Sequence, residues 1–215
     1  MHMIKTYTVK LIVLAIVLLV SASGLRAQDT NEEGYNSQVR FGVRAGVTIS
    51  NQSFEAGGFA KDPESKFGGD LAVMANFPIG NGFFMLQPEL HLIQKGYQVH
   101  GIDSLGDITS TLNYLELPVL LRFNFGGSLK LFAIGGPSVG YLLTGKYVDN
   151  GGSYGIDNTY YNELEFGFHV GAGIGLGPVE IDVRYMGGLT DISEGNPGVS
   201  GVKNKSFGAG ITFKF

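Results

Sequence analysis

Residues 164–176 read LEFGFHVGAGIGL. Leu164, Phe166, Phe168, Val170, Ala172, Ile174 and Leu176 fall at every second position. Between them stand Glu165, Gly167, His169, Gly171, Gly173 and Gly175. A period of two puts the apolar side chains on one face of an extended strand and the small and polar ones on the other. Glycine weakens a strand interior unless something must approach closely. The four glycines therefore mark a crowded face. After Gly177–Pro178 the alternation resumes at 179–186. Val179, Ile181, Val183 and Tyr185 oppose Glu180, Asp182 and Arg184. Folded as a hairpin, the two segments set Glu180, Asp182 and Arg184 opposite Gly175, Gly173 and Gly171, so long charged groups lie over glycines.

The same period recurs at 39–49, 67–77, 84–95, 114–125, 129–143 and 206–215, making eight segments. The links between segments two and three, four and five, and six and seven are short. The other four, 50–66, 96–113, 144–163 and 187–205, are long and rich in Gly, Asp, Asn and Ser. Short turns at one end and long polar loops at the other are the pattern of outer-membrane barrels. The expected fold is all-β: an eight-stranded antiparallel up-and-down transmembrane β-barrel with short periplasmic turns and long extracellular loops. Pro88, Pro118 and Pro137 interrupt strands, where each removes a ladder bond or marks a bulge.

A soluble barrel of the lipocalin type has the same strand count and period, with the apolar face inside. An eight-stranded lumen is only just wide enough to be filled by side chains. It cannot hold every Leu, Phe and Val of these segments, and the glycines suit a crowded interior. Aromatics also gather at both strand ends. Phe41, Phe77, Phe84, Phe123, Phe125, Phe213 and Phe215 lie toward the short turns; Phe67, Tyr141, Phe166 and Tyr185 lie toward the loops. Two aromatic girdles fit two membrane interfaces. The apolar face is read as facing lipid.

Composition agrees. The 215 residues include 34 Gly and no Cys, and 12% are aromatic. Without Cys there is no disulfide, thiol nucleophile or zinc–thiolate site. The formal charge of −4 gives no reason to expect a nucleic-acid partner. Residues 1–27 have Lys5 and Lys10, an apolar run from Leu11 to Val20, then small residues up to Ala27. This is the layout of a cleaved secretory signal. A polar segment, 28–38, precedes a barrel domain at 39–215.

LQPELHLIQKG (86–96), NYLELPVLLRF (113–123) and AIGGPSVGYLL (133–143) resemble motifs of the PorT-like outer-membrane β-barrel proteins of Bacteroidetes. GAGITFKF (208–215) looks like the terminal strand read by the barrel-assembly machinery, with Phe213 and Phe215 as its signal. The resemblance implies fold and compartment. Most members have no assigned activity, although the name-giving member assists secretion.

The inward positions carry Arg40, Arg44, Asp70, Glu89, His91, Glu116, Arg122, Lys130, Glu165, His169, Glu180, Asp182, Arg184 and Lys214. Balanced charge in a narrow lumen reads as a salt-bridged plug, since buried charge is tolerated when paired. Aligning Phe77 with Phe84 places Asp70 opposite His91. The expected role is a structural or interaction module of the outer membrane. The alternatives are a narrow porin-like channel and an accessory barrel for secretion. Lipid-modifying enzymes need a nucleophile–base pair that substrate can reach, but His91 and His169 point inward, so no enzyme is expected. Neither is a cofactor or metal, because Asp149, Asn150, Asp157 and Asn158 lack Ca²⁺-loop spacing. The expected partners are outer-membrane lipid, the assembly machinery and a ligand of the Tyr-rich loops. The chain is expected to be monomeric.

Overall fold

A computed structural model describes residues 38–53, 63–80, 83–102, 106–126, 130–149, 151–155, 162–193 and 201–215. The expected signal segment at 1–27 and nearly all of 28–38 lie outside the described residues. Among the described residues nine strands form: β1 (Arg40–Ser53), β2 (Glu64–Ile79), β3 (Phe84–Ile102), β4 (Gly106–Phe125), β5 (Lys130–Asp149), β6 (Gly152–Gly155), β7 (Leu164–Leu176), β8 (Val179–Gly188) and β9 (Lys203–Lys214). Eight of them close an antiparallel ring. Neighbours pair in chain order, β5 pairs with β7, and β9 returns to β1. The four-residue β6 pairs with β5 and extends that strand's hairpin beyond the ring.

The faces fall as the period requires. Val47, Phe67, Val183 and Phe207 point outward and are each more than 60% exposed, while Arg44, Glu89, His91 and Glu116 on the other parity are buried. Leu176 pairs with Val179 around Gly177–Pro178. Gly177 takes φ +65°, a region that side chains disfavour and two-residue hairpin turns require. Arg184, Asp182 and Glu180 sit opposite Gly171, Gly173 and Gly175, as expected.

Two expectations are corrected, and one open alternative is decided. First, much of the 96–113 and 144–163 links is strand. The β3–β4 ladder continues to Val99↔Ile108, and β5 runs on to Asp149. These extensions rise past the apolar band, where Tyr97, Val99 and Ile108 pack on the inward face and polar residues such as Gln98, Thr109 and Thr111 take the outward one, so the apolar-out alternation is lost. Second, β2 runs through Pro78 to Ile79, which pairs with Phe84. Phe77 therefore faces Leu86, and His91 faces Ala72 rather than Asp70. A two-residue offset leaves every side chain on its own face. Third, the pairing register is the same before and after Pro88, Pro118 and Pro137. These prolines are not bulges. The irregularities lie at Ser65/Asp70, Val99/Ile102 and Asn113/Tyr114.

Candidate functional site: the charged lumen

At mid-height the lumen holds a closed ring of six ionisable side chains. Arg44 on β1 donates from Nε and Nη2 to Asp182 at 3.0 and 2.9 Å, and from Nη1 to Asp70 on β2. Asp70 Oδ1 lies 2.7 Å from His91 Nδ1, and His91 Nε2 lies 2.6 Å from Glu89 Oε2, both on β3. Across the lumen, Arg184 Nη1 on β8 donates to Glu89 at 2.5 Å. Its Nε donates to Asp182 at 2.6 Å and closes the cycle. Both nitrogens of His91 face carboxylates, and only the doubly protonated ring donates to both. The cycle then sets two guanidiniums and one imidazolium against three carboxylates.

Glycine makes this packing possible. A Cβ on Gly210 would stand 2.4 Å from Arg44 Cζ, so a side chain there would displace the guanidinium at the hub.

Toward the turns, Gln87 carries the network on. It bonds Glu89 and accepts from Arg122 Nη1 at 3.2 Å. Arg122 donates to both oxygens of Glu180, at 2.9 and 2.7 Å, and Lys214 Nζ lies 2.8 Å from Glu180. The Arg122 guanidinium also lies over the Phe132 ring, 3.7 Å from its centroid. Toward the loops, Lys95 bridges Glu116 and Glu165 at 3.1 and 3.0 Å. Ser138 Oγ donates to Glu116, and His169 Nε2 lies 3.0 Å from the same oxygen. His169 Nδ1 has no partner among the described residues, which suits a neutral ring protonated at Nε2.

All but two of the expected lumen charges belong to these three tiers. Arg40 is only half-buried and Lys130 is exposed at the turn-side rim. Neither joins the network among the described residues, because each is the first residue of its strand, where the turn-side end of the lumen opens to solvent. Lys95 was missed, although it shares the parity of Glu89 and His91. The lumen also holds apolar groups. Leu120, Phe132 and Ile134 cluster near the turns. Near the loops, Ile192 and Val202 from the β8–β9 connection pack on Ile93, Leu112, Tyr114, Leu142 and Met186. Asp191 holds that cap in place. Its carboxylate accepts from Ser193 N and Oγ, Gly201 N and Val202 N at 2.6–3.0 Å. Burial slightly opposes ionisation, but these bonds outweigh it and bring its pKa to about 2.

A family model described as outer membrane protein beta-barrel domain matches residues 26–194. No curated protein matches the chain. Among solved structures, Neisserial surface protein A is similar at 16% identity and a TM-score of 0.50, over 85% of this chain and 100% of that one. Ail of Yersinia pestis is similar at 14% identity and a TM-score of 0.46, over 83% and 99% of the two chains. The outer membrane enzyme PagL is similar at 14% identity and a TM-score of 0.43, over 79% and 98%.

Proposed function

The chain belongs to the outer membrane protein beta-barrel domain family, and from that premise we propose that it is a plugged barrel serving the outer membrane as a structural or interaction module. The observation that carries this reading is the Arg44–Asp70–His91–Glu89–Arg184–Asp182 cycle. Its bonds cross the lumen from β3 to β8 and occupy its middle. A hydrated ion would have to separate buried pairs, at a cost of several kcal/mol for each pair broken. The Ile192–Val202 cap adds an apolar layer above.

Planar-bilayer recording of single barrels tests this. The expected result is at most small, rare openings, and steady conductance in the range of general porins overturns it. A narrow channel is the rival reading. We also read the barrel as non-catalytic, since His91 and His169 are spent on buried carboxylates that lipid does not reach. The motifs at 86–96, 113–123 and 133–143 support a PorT-like, Bacteroidetes placement within the family. Phe213 and Phe215 are the proposed signal to the assembly machinery. A secretion partner or loop ligand would be sought by crosslinking from the long loops in intact cells. A single crosslinker-independent mass would support a monomer.

A further inference from the structure

On the outer face of β1, β9, β8 and β7 the register stacks side chains in rows. One row carries Val47, Ala209, Val183 and Ala172; the next, toward the loops, carries Ile49, Phe207, Tyr185 and Val170. Ala209 and Ala172 are short among branched and aromatic neighbours. They floor an apolar groove of about 540 Å³. Its loop-side wall is aromatic: the Phe207 and Tyr185 rings lie 5.0 Å apart, and Tyr185 and Phe168 5.8 Å. Phe168 reaches this ledge by lying over Gly187, where a Cβ would come within 2.7 Å of its ring.

The third row carries Asn51, Lys205, Gly187 and Phe168. Lys205 points outward and is exposed, and Lys203 shares its parity on β9. No carboxylate stands in these three rows. The outward residues of β9 are apolar from Phe207 to Phe215. Eight residues of tilted strand span roughly 20 Å of bilayer. Lys205 therefore stands at the headgroup boundary of the loop-side leaflet, directly above the groove. An ammonium over an aromatic ledge over an apolar trough divides as an acylated phosphate lipid does.

We propose that this face binds one acylated, phosphate-bearing lipid of the loop-side leaflet, with an acyl chain over Ala172 and Ala209 and a phosphate on Lys205. The proposal rests on the outer-membrane placement and does not depend on the plugged lumen.

Native mass spectrometry of the full-length barrel in detergent tests it, with bis-phosphorylated lipid A, the same lipid dephosphorylated, and phosphate-free diacylglycerol as probes. One copy of the phosphorylated lipid should be retained in preference to both others. Lys205→Gln should lower that retention about tenfold, the size of one lost charge-assisted hydrogen bond. Ala209→Phe fills the groove and should lower retention of both forms of lipid A; Ala172→Phe serves if the first variant does not fold. Water-soluble glucosamine phosphate should not displace the lipid. Equal retention of the two lipid A forms, indifference to Lys205→Gln, or displacement by glucosamine phosphate would each overturn the proposal. Folding of each variant is read by heat-modifiable migration.

Discussion

Arg184 on β8 reaches across the lumen to Glu89 on β3, with Nη1 and Oε2 2.5 Å apart and both side chains buried. The two strands are not neighbours in the barrel. The pair therefore ties opposite walls together, while Arg184 also bonds Asp182 at its own base.

Removing Arg184 takes a cation from two buried carboxylates, Glu89 and Asp182, and leaves three carboxylates in the cycle against two cations. Arg184→Ala should cost about 3–5 kcal/mol, the usual penalty for breaking a buried pair. Pairing Arg184→Met with Glu89→Leu should recover part of the loss, since no orphaned charge remains at Glu89. Urea unfolding in lipid vesicles measures both. Stability of Arg184→Ala within experimental error of the wild type would contradict the plugged-lumen reading.

The rim cation Lys130 sets a control. Lys130 is exposed and lies outside the three tiers, so Lys130→Ala should change stability by no more than about 0.5 kcal/mol, as other surface substitutions do. Lys95 links Glu116 and Glu165 at 3.1 and 3.0 Å. Lys95→Ala should cost about 3–5 kcal/mol in the same assay. A rim substitution as costly as the buried one would mean that the tiers are misplaced.

Val73, Val119 and Val170 face outward near mid-strand. Arginine at any of them meets hydrocarbon and should cost about 2–4 kcal/mol, falling to about 0–1 near the interfaces. Position 189 is the reference, because Leu189 is exposed and lies just past the end of β8. If arginine is tolerated equally at 73 and 189, the apolar face does not meet lipid.

The cap formed by Ile192 and Val202 depends on a charged Asp191. Its folded pKa is depressed to about 2, below the unfolded value of about 3.9. The stabilisation is therefore complete above about pH 4 and is lost as pH falls through about 2. Asp191 is only half-buried, near the surface of the cap, so screening keeps the effect small. Amide exchange at Gly201 and Val202 should quicken over that window, and in Asp191→Asn it should be fast already at neutral pH. Unchanged exchange in Asp191→Asn would remove the carboxylate as the anchor.

Phe215 N donates to Phe41 O at 2.9 Å, and Phe41 N donates back at 3.2 Å, sealing β9 to β1. Deleting Phe213–Phe215 opens that seam and removes Lys214 from Glu180. Unsatisfied backbone in hydrocarbon costs several kcal/mol per group. The truncated chain should lose the compact, heat-sensitive gel band, whereas removal of most of 28–38 should leave it. Retention of that band by the C-terminal truncation would contradict the closed ring.

The sequence by itself determined the period, the strands that close the barrel and the face of nearly every residue. These follow from backbone alternation, which is local. The hairpin facing Arg184 to Gly171 was legible for the same reason, because a two-residue turn leaves one register open. The Asp70–His91 contact was anticipated from a register that does not exist. The two meet diagonally, since Ala72 is the residue opposite His91 and long side chains reach two positions along. Tertiary structure alone decided which charges share a tier. Arg44 reaches Asp182 past a whole strand, over Gly210, and Glu89 meets Arg184 across the lumen. Such pairs depend on ring closure and on each residue's depth along the barrel axis, and a strand pattern contains neither. Depth also separates Arg40 and Lys130, which open to water at the rim, from Lys95, which lies deep enough for two carboxylates to hold it.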